Sequence, residues 1–327
     1  MTGHPLTSQI LPAVLESVEA GEFPELGKVL RAGLPGLHAS ATGDLGITGL
    51  LSLVDYSIQN DLPLLPGQSS ADLRLVRNQL EQAILRFIDP YEAYKREERK
   101  RIKELGDWFK SLRQSSDVVS VLSTNYDMSA DLALLDHFDT DDAVGEHVDF
   151  GTAWREPVEG YVYQRPQNPR YRLLKLHGSA NWLVCRQCQQ LYVNTETAIA
   201  HIAFLLGPDH EDAQCHCGHS RLEALLVTPS FVRNFETTIL ASIWRAAIEA
   251  LRTADRWYFI GYSLPPEDIA IRSLLIRARQ AHRSKKGPHV TVVQRSRNAE
   301  PGYRQLFPDL NYYDGGIEPF IAQHRAG

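Results

Sequence analysis

Cysteine and methionine are scarce in this chain, four and two among 327 residues. So few thiols exclude the disulfide framework of small secreted domains, which are dense in cysteine and spread it along the chain. No apolar run approaches the ~18–20 residues needed to cross a bilayer, and no signal-peptide h-region follows Met1. The expectation is a cytoplasmic protein with no membrane partner. Charge of neither sign dominates: 34 Lys and Arg stand against 40 Asp and Glu, a net charge of −6, which gives no nucleic-acid footprint. Internal repeats and low-complexity tracts are missing, and so is any GxG. What is there is ordinary globular composition, 43% apolar and 23% charged, at a length that suits one large domain or two modest ones.

The few cysteines lie close together: Cys185 and Cys188 as CRQC, Cys215 and Cys217 as CHC. CxxC and CxC so near each other in a cytoplasmic chain read as one tetrahedral Zn(II) site with four thiolates. Four sulfurs close the shell, so such a zinc is structural, with no open position for catalysis. His216 and His219 flank the second pair and could replace a sulfur. The alternative is a degenerate ribbon of reduced thiols without metal.

Along the chain, LTSQILPAVLESVEA has helical spacing and is stopped by Gly21 and Pro24, with loop to about residue 35. Residues 33–49 read as loop. Helices follow near 46–60 and 70–90, and then EAYKREERKRIKELGDWFKSLRQ, whose charge-dense start is a solvated face and whose buried stripe is Trp108, Phe109 and Leu112. At residue 118 the period changes. Val118, Val119, Val121 and Leu122 form a β-branched run without alternation, as a parallel strand covered on both faces requires. LLVTP (225–229), RWYFIGYS (256–263) and HVTVVQ (289–294) repeat the pattern, separated by helical stretches at 236–253 and 267–282. This order predicts an α/β fold with a doubly wound, Rossmann-like parallel sheet. Residues 1–182 and 223–327 would form it, with a helical insertion at about 35–115 and a zinc-ribbon module at 183–222.

Ligands of open α/β sheets bind beyond the carboxyl ends of the strands. Three segments end apolar runs with small or polar residues: STNYD (123–127), KLHGS (175–179) and GYS (261–263). Each has a plain structural reading. Asn125 and Asp127 suit helix caps, His177 suits a core imidazole bonded to a carbonyl, and Gly261 suits a turn.

Together, STNYD, KLHGS, the cysteine module and ADRWYFIGYSLPPED, in this order, resemble the sirtuin-like NAD-consuming family. The forms NYD and GYSLP are closest to its bacterial branch associated with phage defence. The resemblance covers about residues 115–295. It implies a sirtuin-type NAD domain with NAD as substrate and a structural zinc. It also implies that Asn125 orients water or the ribose hydroxyls and that His177 acts as general base, for which an ordinary histidine pKa of ~6.5 is suitable. Thr124 belongs to the matching TNYD segment, and Asp127 would shape the nicotinamide pocket. Gly178 would leave room for the ribose. Gly261, Tyr262 and Ser263 would lie against the phosphates, and Gln294 would hold the adenosine ribose. LVTPSF (226–231) falls where the branch carries a proline-rich segment near the cofactor.

The resemblance implies one of three functions. The leading one is an NAD glycohydrolase releasing nicotinamide and ADP-ribose, used in antiphage defence. The second is an NAD-dependent protein deacylase, although CxC and LVTPSFVRNF depart from the deacylase pattern. The third is a catalytically silent NAD- or ADP-ribose-binding subunit of a larger complex. Partners would be NAD itself, further copies of the chain, or a defence protein encoded alongside. The family opens with a strand and a GAGxS turn, whereas this sequence opens MTGHPLTSQIL, whose residues 3–7 resemble the family's segment just after that turn. The expectation is a start further upstream, or a lost first strand and weak hold on the pyrophosphate.

Overall fold

The computed structural model describes residues 7–39, 45–88, 96–135, 137–157, 161–185, 187–200, 214–218, 222–227, 238–266 and 268–324. The first part is helical: α1 (Thr7–Glu19), α2 (Pro24–Gly33), α3 (Gly46–Gln59) and α4 (Ser70–Ile88). Ile10, Leu11, Val14, Leu15 and Val18 form one stripe of α1, spaced as a helix of 3.6 residues per turn requires. They pack on Leu26, Leu50, Leu51, Val54 and Leu80 in a core separate from that of the rest of the chain. Pro24 does not end the helical region as its sequence position suggests. It opens α2, where a missing N–H costs nothing, after Phe23 turns the chain at φ 54°.

The α/β part starts with α5 (Arg96–Gln114), β1 (Val119–Ser123), α6 (Ser129–Leu135) and α7 (Asp141–His147). Short strands β2 (Val148–Asp149), β3 (Trp154–Arg155) and β4 (Val162–Tyr163) lead to β5 (Tyr171–Lys175), β6 (Gly178–Cys185), β7 (Leu191–Val193) and β8 (Leu222–Leu226). Then come α8 (Thr238–Thr253), β9 (Arg256–Ile260), α9 (Ile269–Gln280), β10 (His289–Val293), α10 (Glu300–Leu306), β11 (Asn311–Tyr313) and α11 (Ile317–His324).

The expected parallel strands are present, but the described residues do not join them into one sheet. One parallel sheet has the order β1-β5-β2 and another the order β11-β10-β9. Both run the same way. Arg256, opening β9, reaches Ser115 just before β1 (Nη2–Oγ 3.4 Å), and His177 after β5 lies near Asp268 after β9. Side chains of β9 alternate between two helical layers, as the two-residue period of a strand dictates. Trp257 and Phe259 face Leu251 of α8 and the α10 region (Tyr303, Phe307), and Tyr258 faces Trp108 of α5 and Phe320 of α11.

A second correction concerns residues 225–229. Leu225 and Leu226 belong to β8, which pairs antiparallel with β6 in a third sheet, of order β4-β3-β7-β6-β8, and not with the parallel strands. Thr228 to Phe231 lie outside the described residues. The third sheet carries the cysteines, and β6 is buried along its whole length. None of the described helices is long and apolar enough to cross a membrane.

Candidate functional site

The segments singled out in the sequence meet at the carboxyl ends of β1, β5 and β9. The turn between β5 and β6 presents His177, which is 7% exposed. Its Nδ1 lies 3.1 Å from the carbonyl oxygen of Thr124. A carbonyl only accepts, so Nδ1 carries the proton and the neutral ring keeps its lone pair on Nε2. Nε2 faces the Asp268 carboxylate, 3.9 Å from Oδ1. The other oxygen of Asp268 accepts a hydrogen bond from the Tyr262 hydroxyl at 2.6 Å. The arrangement can take a proton on Nε2 and stabilise the resulting imidazolium with the carboxylate.

Asn125 is exposed beyond β1, its N–H donating to Ser123 Oγ at 3.2 Å. Thr124, Asn125, Asp127, Gly261 and Tyr262 line a cavity of about 940 Å³ that extends between β1 and β9. Asp127 is buried and takes the structural role: its Oδ1 accepts the N–H of Ser129 at the start of α6 (2.8 Å). Behind it, Lys175 Nζ donates to the Asp127 carbonyl (2.5 Å) and to Asp131 Oδ2 (2.8 Å).

Other residues stand differently from the expectations. A Cβ on Gly178, at φ +80°, would lie 1.8 Å from the Leu225 carbonyl oxygen, so the glycine serves the close approach of β8 rather than an open space. The Gly261 N–H, expected on a phosphate, donates to Val293 O at 3.0 Å. Gln294 braces the same turn, its Nε2 donating to the Tyr262 carbonyl at 2.5 Å. Ser263 is exposed. The sequence reading missed Asp268 and Lys175. The signal for Asp268 was a carboxylate just after Pro-Pro and before an apolar helix, and it caps no N–H of α9.

The four cysteines converge at the far end of β6. All four Sγ atoms lie within 4.8 Å of one another, with Cys185–Cys217 at 3.7 Å and Cys188–Cys215 at 3.4 Å. A tetrahedron of Zn–S bonds near ~2.3 Å has edges of about 3.8 Å, so the set fits zinc. Burial pushes the Cys215 thiol up to about 12, despite a Tyr192 hydroxyl 3.4 Å from its sulfur. His216 Nδ1 lies 2.6 Å from the Tyr192 hydroxyl, and burial lowers its pKa. His219 lies outside the described residues.

No protein-family model and no curated protein matches the chain. Among solved structures, one described as the structural basis for the mechanism and regulation of Sir2 enzymes is 20% identical. The match covers 68% of this chain and 69% of that one, with a TM-score of 0.37. A second, described as the structural basis for sirtuin substrate affinity, is 14% identical over 68% of this chain and 70% of its own, with a TM-score of 0.38. Superpositions this loose decide neither fold nor activity.

Proposed function

We propose that the chain is a sirtuin-like NAD glycohydrolase, cleaving NAD with water to nicotinamide and ADP-ribose. The reading is supported by the family resemblance of STNYD, KLHGS and GYSLP. The observation that carries it is His177, held by Thr124 with Nε2 toward Asp268 and one hydrogen bond away from a cavity lined by Asn125. In this mechanism the bond between nicotinamide and ribose breaks, and the already cationic pyridinium leaves as a neutral base. Water attacks the ribose carbon, oriented by Asn125, and its proton passes to His177 Nε2. Asp268 stabilises the charged imidazole, and Thr124 holds the ring in the productive tautomer. Zinc, bound by Cys185, Cys188, Cys215 and Cys217, would hold the third sheet and take no part in the reaction. Depletion of NAD in antiphage defence, by an oligomer in the cytoplasm, is the biological form of this proposal.

A second reading is a silent NAD- or ADP-ribose-binding subunit. The silent part of this reading is favoured by the Gly261 N–H and the Gln294 amide, both spent within the protein, which leaves fewer donors to hold a dinucleotide in place for cleavage. Incubation with NAD, followed by chromatography, separates the readings. Free ADP-ribose without added peptide is expected, and His177→Ala or Asn125→Ala should each remove it. Turnover only with an acylated peptide would indicate a deacylase, and binding without turnover the silent subunit.

A further inference from the structure

The loop that carries Asn125 is held through its carbonyl oxygens, and one segment supplies the donors. Residues 123–127 leave the end of β1, and residues 175–180 end β5, turn at His177 and open β6. Ser123 O accepts from the Leu176 N–H at 2.9 Å, and Thr124 O from His177 Nδ1 at 3.1 Å. Tyr126 O accepts from the Ala180 N–H at 2.8 Å, and Asp127 O from Lys175 Nζ at 2.5 Å. The carbonyls on both sides of Asn125 are therefore fixed. Asn125 itself is exposed and lines the cavity, so its amide follows the backbone beneath it.

Lys175 is the unusual donor of the four. Leu176 and Ala180 offer main-chain N–H groups, and His177 already has a place in the site. Lys175 lies outside the lining of the cavity. Its side chain is wholly buried, with Nζ 2.8 Å from Oδ2 of the equally buried Asp131 in α6. Asp131 Oδ1 accepts from Asn181 Nδ2 at 3.2 Å, and Asn181 Oδ1 from Ser179 Oγ at 2.5 Å. None of these four residues is reached by water, and each has its partner, so the network has one defined geometry.

Stability does not account for a charge at this depth. Taking an ammonium and a carboxylate out of water costs about as much as their attraction returns, and an apolar pair of the same volume is often equally stable or more so. What an apolar pair lacks is a donor for the Asp127 carbonyl. An ammonium has three N–H groups, and one of them passes the carboxylate by to reach this oxygen. A charged donor makes a shorter and stronger bond than a neutral one. The carboxylate of Asp131 compensates the charge, and the bond to the carbonyl sets the loop.

We infer that Lys175 is a positioning residue: its buried ammonium fixes the Asp127 carbonyl and, through the loop, the place of Asn125 relative to His177. The spacing of the two donors supports this. Side chains two residues apart in an extended chain leave on the same face. Lys175 and His177 accordingly both reach the loop, one at Asp127 and the other at Thr124, with Asn125 between them. One stretch of chain thus sets the base and the amide against each other. A displacement of about 1 Å at a reacting group costs on the order of 10²-fold in rate. The consequence for catalysis rests on the glycohydrolase reading; the placement of the loop does not.

Two variants part the carbonyl bond from the ion pair. Lys175→Met with Asp131→Leu removes both charges and keeps the volume, but takes the donor from Asp127 O. Asp131→Asn leaves the nitrogen without its counter-ion; charged or neutral, it keeps N–H groups for the carbonyl. Urea unfolding, amide hydrogen exchange over residues 124–127, and NAD turnover below the melting temperature are measured on each. The double variant should be more stable than Asp131→Asn. Its loop amides should nevertheless exchange at least ~10-fold faster than the parent's, with β1 and β5 unchanged. Its kcat should fall on the order of 10²-fold with KM little changed. Asp131→Asn should lose stability and keep the parent's loop exchange and kcat within a few fold. Parental loop exchange in the double variant overturns the inference, and so does a parental kcat with a loosened loop. A folded Asp131→Asn that loosens as much as the double variant does the same, since the ion pair alone would then matter. Where one variant does not fold, the other decides. A parent that releases no ADP-ribose removes the glycohydrolase reading, and loop exchange still judges Lys175.

Discussion

Lys175 and Asp131 form an ion pair from which water is wholly excluded: Nζ and Oδ2 are 2.8 Å apart and both side chains are 0% exposed. The lysine ends β5 and the aspartate lies in α6. The pair therefore ties the strand that leads to His177 to the helix that follows Asn125. Removing one partner of a buried pair leaves an uncompensated charge, at a cost of about 3–5 kcal/mol. Lys175→Met should lose about that much stability in urea unfolding. Lys175→Met with Asp131→Leu should recover part of it, and equal losses in the single and double variants would show that the charges are not coupled.

In the proposed glycohydrolase, Asp268 would act through His177, 3.9 Å from its Nε2. Asp268→Asn removes the charge that stabilises the imidazolium while keeping a group able to accept the Tyr262 hydroxyl. NAD turnover should fall about 10²–10⁴-fold, the range of a general-base contribution, with little change in KM. A change in KM alone would place the carboxylate in binding instead.

Gly178→Ala should be strongly destabilising, because the new methyl meets the Leu225 carbonyl in a left-handed backbone. Thermal unfolding measures it. A variant that melts like the parent would mean that β6 and β8 are further apart than described.

The cysteine cluster gives a pH dependence of definite sign. Burial raises the thiols of Cys188 and Cys215 in the metal-free protein, Cys215 to about 12, so zinc must displace protons to bind. Apparent zinc affinity should therefore rise with pH through neutrality, followed by competition with a chelator. In the metal-free protein a raised thiol pKa stabilises the fold below the unfolded value near ~9 and loses that contribution as pH climbs toward the folded one. Melting temperature should then drop above that pH without zinc and hold with zinc. Identical profiles would argue against metal binding.

Much of the fold was legible. β1, β9 and β10 announced themselves as unbroken apolar runs because strands covered on both faces need no polar side. The same logic misplaced Leu225 and Leu226, since an apolar run tells that a strand is buried but not what it pairs with. The helix at Pro24 was hidden because proline reads alike as a stop and as a first residue. At the site, His177 and Asn125 stood out by segment, and both lie at the carboxyl ends of the parallel strands, with Asn125 lining the cavity. Asp268 and Lys175 lay in the quoted segments, but their roles stayed hidden because they come from partners 91 and 44 positions away.

Strand β6 begins one residue after His177 and ends on Cys185, and it is buried throughout. Its eight residues span roughly 25 Å, with a register shift against β8 between Gly178 and Leu183, and have the proposed base at one tip and the sulfur cluster at the other. Pairing with β7 on one side and β8 on the other therefore fixes the spacing between the turn that carries His177 and the cysteines.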